Sequence, residues 1–184
     1  MRHLYFLTAF ILIATILHAQ DSSIVLGRYE RYLTTPGKLL KTNKTVVGEI
    51  RSVSIEVLRT TDIRKADSIS VVRLTSQRYG NTSLISNNNF YIEKEELATV
   101  INLLQYYAAE LKNLNAGKQV FYSYITENDV EISCMYEESF FSGWYVSFGK
   151  VYQHLRTKVP GSVSFSRREL ETFIRLLQLT QQEL

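Results

Sequence analysis

Apolar and polar residues alternate over much of the chain beyond residue 50. Val53, Ile55 and Val57 alternate with Ser52, Ser54 and Glu56, and Ile69 and Val71 with Ser68 and Ser70. Val130, Ile132, Cys134 and Tyr136 alternate with Glu131, Ser133 and Met135; Trp144, Val146 and Phe148 alternate with Tyr145, Ser147 and Gly149. A period of two marks strands with one buried face and one face turned to water or a partner. The β-branched and aromatic run 119–126 predicts another strand, which Glu127-Asn128-Asp129 turns into the next. Elsewhere the period lengthens. Leu97, Val100, Ile101, Leu104, Ala108 and Leu111 recur at helical spacing, and Leu170, Phe173, Ile174 and Leu177 reproduce the first four of those positions. Each set is one apolar stripe of a helix that packs on a sheet.

The two helices sit in a longer repeat. Phe90–Gln105 and Val163–Gln178 align without a gap, with seven of sixteen residues identical. Ser166 and Glu169 form a Ser-x-x-Glu capping box at the start of the second helix, and Glu93 and Glu96 hold the matching positions in the first copy. The predicted order is four strands and a helix, twice: strands near 38–50, 51–60, 67–77 and 88–92 with helix 93–114, then strands near 119–126, 129–136, 143–149 and 161–165 with helix 167–182. The fold class is therefore α+β: a duplicated ββββα unit with antiparallel sheets and one long amphipathic helix per repeat. The expected organisation is a signal peptide over 1–19, an N-terminal segment over 20–37 with a short helix before Pro36, a first repeat over 38–117 and a second over 118–184, all in one compact domain.

The start of the chain is an export signal by composition. Arg2 and His3 precede the apolar run Leu4–Leu17, and Ala19 stands at the border with polar Gln20-Asp21-Ser22. At 1.5 Å per residue that run reaches about 21 Å, short of the roughly 30 Å hydrocarbon core. Cleavage after Ala19 would leave a protein outside the cytoplasm, periplasmic or secreted, with no transmembrane segment.

Composition narrows the chemistry. In 184 residues, 45% are hydrophobic and 21% charged, which excludes general disorder. A single cysteine excludes an intrachain disulfide and a cysteine-based zinc site. The net charge of +3 gives no global pull towards nucleic acid or anionic membrane, but the charge is unevenly spread. Residues 21–80 hold eleven basic groups against six acidic, and residues 81–150 four against nine. A basic docking face in the first third is the sharper consequence.

No catalytic constellation emerges. Once the signal is removed His154 is the sole histidine, in an expected loop over 150–160 and with no motif framing a nucleophile beside it. Cys134 shares the apolar parity of its strand and reads as a buried thiol. Glu95-Glu96 and Glu137-Glu138 are adjacent carboxylates whose neighbouring positions diverge, unsuited to paired acid–base work. The eight glycines form no phosphate-cradling loop. No cofactor, metal or catalytic residue is expected. The candidate ligand-binding residues are aromatic: Tyr136, Phe140, Phe141, Trp144 and Tyr145, around the segment 137–143. Trp144 and Tyr145 have opposite parity and cannot both be buried by one face. Such a group can stack a sugar ring or anchor a protein.

Two resemblances follow from these residues. The tandem four-strand-plus-helix layout over 38–184 resembles the plant Whirly proteins and the single-stranded-DNA-binding transcription coactivators, which implies curved sheets clamped by helices. Gly48-Glu49-Ile50 through Asp62, then Glu95-Glu96-Leu97, then Ser164-Phe165-Ser166-Arg167-Arg168-Glu169-Leu170, together with the signal ending in Ala-Gln, resemble a group of uncharacterised exported proteins of Bacteroidota. That resemblance implies localisation and fold and no chemistry. The expected function is a non-catalytic binding or structural module outside the cytoplasm, not an enzyme, with a protein or glycan as partner. The alternatives are glycan binding through the aromatic loop and, by fold analogy, single-stranded nucleic acid. The acidic residues Glu131, Glu137 and Glu138 among the aromatics argue against nucleic acid.

Overall fold

The computed structural model describes residues 26–78, 86–113, 121–137, 143–152, 157–158 and 163–184. The expected signal peptide lies outside them. A short helix α1 (Arg28–Thr34) leads into strands β1 (Leu40–Ile50), β2 (Val53–Asp62), β3 (Asp67–Arg78) and β4 (Ser86–Glu93). These form one antiparallel sheet in chain order, followed by helix α2 (Lys94–Asn113). Strands β5 (Tyr122–Ile125), β6 (Val130–Glu137) and β7 (Gly143–Tyr152) begin a second antiparallel sheet. Its last edge comes in two pieces, β8 (Thr157–Lys158) and β9 (Val163–Ser166), both paired with β7. Helix α3 (Arg167–Glu183) closes the chain. The fold is thus α+β with a repeated four-strand-plus-helix unit. One boundary differs from the sequence reading. β7 continues to Tyr152 and pairs with β8, inside the stretch expected as a loop over 150–160. His154 lies outside the described residues.

Strand register displays the repeat directly. In the first sheet Ile55 faces Leu74 and Val57 faces Val72, and in the second Ile132 faces Phe148 and Cys134 faces Val146. The next strand continues the match: Val72 and Leu74 face Ile92 and Phe90, while Val146 and Phe148 face Phe165 and Val163. Apart from Val57, which is buried beside them, these inward positions join Leu97, Val100, Ile101 and Leu104 of α2 and Leu170, Phe173, Ile174 and Leu177 of α3 in one hydrophobic core. Burial of both apolar stripes against a shared core is the main stabilising term.

Each helix also grips the hairpin of the other repeat. Glu169, in the first turn of α3, accepts from Ser166 N at 2.8 Å, the carboxylate half of the predicted capping box, and from Ser166 Oγ at 2.7 Å, and pairs with Arg51 in the β1–β2 turn. Arg51 holds a left-handed backbone at φ 54°, a conformation that costs a non-glycine residue free energy. Glu96, the matching residue of α2, does not cap its own helix as the sequence implied. Its Oε1 accepts from Glu127 N at 3.0 Å in the β5–β6 turn and from Tyr124 Oη at 3.4 Å. On the inner side, a methyl at Gly48 would sit 2.7 Å from Leu176 Cδ2, so α3 lies directly against β1. Tyr122 of β5 likewise packs on Tyr107 and Tyr106 of α2, with ring centroids at 5.5 and 5.9 Å. Among the described residues, no helix is long and apolar enough to cross a membrane.

The two glutamates respond to pH in opposite senses. Burial raises the Glu169 carboxyl, but its bonds to Ser166 and Arg51 outweigh that and hold it below the ordinary range. Burial pushes Glu96 up, only partly offset by Glu127 N and Tyr124, and its Oε2 is buried with no hydrogen-bond partner among the described residues. A carboxyl raised in the folded state destabilises the fold increasingly as pH climbs from its unfolded value through its folded one. Glu96→Gln is therefore expected to raise the melting temperature at neutral pH and to lose that advantage below the ordinary carboxylate range. Thermal melts of both proteins across acidic to neutral pH check this. An advantage independent of pH would assign the effect to something other than the charge.

Candidate functional site

The site is built on the outer face of the first sheet, away from the shared core. The alternation that sends Ile55, Val72 and Leu74 inward sends Ser54, Glu56, Leu58 and Thr60 of β2 outward, with Val71, Arg73 and Thr75 of β3 opposite them. One half of this face is covered. Helix α1 lays Tyr29 over Leu58, Ile69 and Val71, and the Tyr29 ring lies 4.8 Å from that of Tyr91. The Tyr29 hydroxyl meets Thr60 Oγ1 at 3.0 Å. The start of α1 is fastened to both repeats. Arg28 donates to Glu93 Oε2 at 2.7 Å, and Asn128 accepts from Tyr29 N and donates to Glu93 Oε1, both at 3.1 Å. Gly27 lets the chain pass this close, since a methyl there would fall 2.4 Å from Asn128 Oδ1.

The other half is open. It holds a polar groove of about 480 Å³ lined by Lys44, Glu49, Ser52, Ser54, Glu56, Arg73, Thr75 and Asn89. Glu56 is its hub and is only 5% exposed. Its Oε2 accepts from Arg73 Nε at 2.7 Å and from Arg73 Nη2, and its Oε1 accepts from Lys44 Nζ at 3.1 Å and Ser54 Oγ at 3.4 Å. Burial alone raises this carboxyl, but Arg73 and Lys44 more than offset it and hold it below the ordinary carboxylate range. Asn89 Oδ1 accepts from Thr75 Oγ1 at 3.0 Å, which leaves the Asn89 amide N–H groups for the groove.

The duplication supplies an internal control. Ser133 and Ser147 of the second sheet occupy the register positions of Glu56 and Arg73, between core pairs that match on either side. Their hydroxyls bond each other at 2.8 Å and both are buried. The unit folds with two serines at this point, so the buried charge cluster of the first copy is not a requirement of the fold.

The predicted aromatic residues are only partly described. Tyr136 and Trp144 are register partners at the end of the β6–β7 pair where the connection 138–142 joins the two strands. Tyr145 faces Met135 on one side and Ser166 on the other and is half-buried. Phe140 and Phe141 lie outside the described residues. Cys134 is fully buried and burial pushes its thiol up to about 11, far from a reactive thiolate at neutral pH. Glu95 is exposed and lies 3.9 Å from Arg28, while Glu96 reaches the other repeat, so the pair does not converge. Among the described residues, no three His, Cys, Asp or Glu side chains are grouped to hold a metal ion. Sequence reasoning missed the groove. Its signal was the outward set Ser54 and Glu56, but only strand register brings Arg73 and Lys44 to it. No family model matches the chain, and no curated protein matches it.

Proposed function

We propose that this protein is a non-catalytic binding module working outside the cytoplasm, and that it takes a glycan in the groove around Glu56. The observation that supports this reading most is the contrast between the Glu56–Arg73–Lys44 cluster and the Ser133–Ser147 pair at the same point of the second repeat. Buried ion pairs contribute little net stability, so their presence where two serines suffice points to a ligand. The groove offers hydroxyls, an amide, ammonium and guanidinium donors and carboxylate acceptors, the mixture that sugar hydroxyls engage. Its two cations are matched by two carboxylates, which gives a phosphate chain no net attraction. Single-stranded nucleic acid is the weaker reading for that reason. The export signal in the sequence supports the compartment.

Glycan-array binding tests this, with Lys44→Ala/Asn89→Ala beside Trp144→Ala. Both substitutions in the first variant are near the rim, and circular dichroism should be unchanged. The groove reading expects Lys44→Ala/Asn89→Ala to weaken the best glycan at least about tenfold, as loss of two hydrogen-bonding groups implies. Loss on Trp144→Ala alone would move the site to the aromatic residues. No glycan bound by the wild type would end the glycan reading.

A further inference from the structure

We infer that the end of the first repeat formed by the close of α1, the connection to β1 and the β2–β3 turn is a docking surface for an anionic lipid bilayer. Three aliphatic side chains stand out there: Leu33, 37% exposed, Leu39, 52%, and Ile63, 56%. They lie on backbone tied into one tip. Ile63 N donates to Leu39 O at 2.9 Å, Arg64 Nη1 donates to Gly37 O at 3.2 Å, and Tyr32 Oη donates to Asp67 O at 2.8 Å. Lys38 Nζ sits 3.2 Å above the Tyr32 ring, which fixes a cation beside them.

The same tip concentrates positive charge. Residues 31–41 and 59–67 carry six basic side chains, Arg31, Lys38, Lys41, Arg59, Arg64 and Lys65, against two acidic ones. One of the two, Asp62, is turned inward: it is 1% exposed and its Oδ1 accepts from Leu39 N and Arg64 N. None of the six cations is ion-paired with a carboxylate among the described residues. Aliphatic side chains on a turn, ringed by lysine and arginine, match a bilayer interface, where the first enter the acyl boundary and the second meet anionic headgroups. A protein partner would more typically engage aromatic anchors in a packed patch, and the exposed residues here are aliphatic and spread over three segments. The surface lies apart from the groove and does not depend on its ligand.

The test is co-sedimentation of the full-length chain with phosphatidylcholine vesicles, with and without about a third phosphatidylglycerol. Arg64→Glu/Lys65→Glu is compared with wild type, so that any contribution of the apolar run Leu4–Leu17 is common to both. With about fivefold in partitioning per surface cation, the variant should lose tenfold or more on anionic vesicles and little on neutral ones, and added salt should remove the difference. Leu39→Ser/Ile63→Ser should lose several-fold with the salt dependence unchanged. All four positions are exposed, so unchanged melting curves serve as the folding control. Equal partitioning of wild type and Arg64→Glu/Lys65→Glu would overturn the inference. So would retention on polyglutamate beads without preference for anionic vesicles, which would assign the tip to an acidic polypeptide.

Discussion

Glu56→Ser is expected to destabilise the protein by about 3 kcal/mol, while Glu56→Ser/Arg73→Ser restores most of that loss. Glu56 has a side chain only 7% exposed and Arg73 one 24% exposed, so removing the carboxylate alone strands a largely desolvated guanidinium. Breaking one side of a buried pair costs about 3–5 kcal/mol, and the partial exposure of Arg73 and of Lys44 puts this case at the low end. Removing both partners erases the stranded charge. The double variant then has two serines in the register where the second repeat holds Ser133 and Ser147 at 2.8 Å. Urea denaturation of the three proteins checks it, with equal slopes required for comparison. The pH dependence follows the same logic. Because the folded Glu56 carboxyl is lowered, its stabilisation is present above the ordinary carboxylate range and is lost as pH falls through the folded value. The double variant should lack that acid-side loss, and a double variant as unstable as the single one would mean that the charges are needed for folding after all.

Phe173→Ala should cost about 3–5 kcal/mol, the range for emptying a buried phenylalanine site. Phe173 is fully buried, with its ring stacked 4.4 Å from Phe165 and edge-on to Phe148 at 5.1 Å. These rings are backed by strands and the facing helix, so the site cannot easily collapse. For a domain of this size the melting temperature should fall by about 10 °C. Among the described residues the ring contacts of Phe173 are with the second repeat, yet the loss should appear in both, because the core they belong to runs on through Leu104, Ile55 and Leu74.

Much of this architecture was legible in the residues because it follows from short-range periodicity. The stripe from Leu97 to Leu111 and the alternation through Ile132 and Cys134 each report a local period and a buried face. The matching of Phe90–Gln105 with Val163–Gln178 located both strand–helix junctions, which fall at Glu93–Lys94 and Ser166–Arg167. The groove was less legible for a physical reason. Glu56, Arg73 and Lys44 are far apart in sequence and meet only through pairing across three strands, and the four-residue connection 63–66 sets that register. Glu96 was misleading in another way. A glutamate in a first helical turn looks like a cap in any sequence, and nothing local reveals that the β5–β6 hairpin arrives beside it. The basic character of the first third was visible as charge, but its coincidence with exposed Leu39 and Ile63 was not.

Native-state hydrogen exchange on wild type and Phe173→Ala probes the joined core most directly. The amides to follow are those of Ile55 and Leu74 in the first sheet and Ile132 and Val146 in the second. If the two repeats share one core, the opening free energies of all four should fall together in the variant, by the amount that denaturation reports. Exchange that accelerates only at Ile132 and Val146, with Ile55 and Leu74 protected as before, would contradict it.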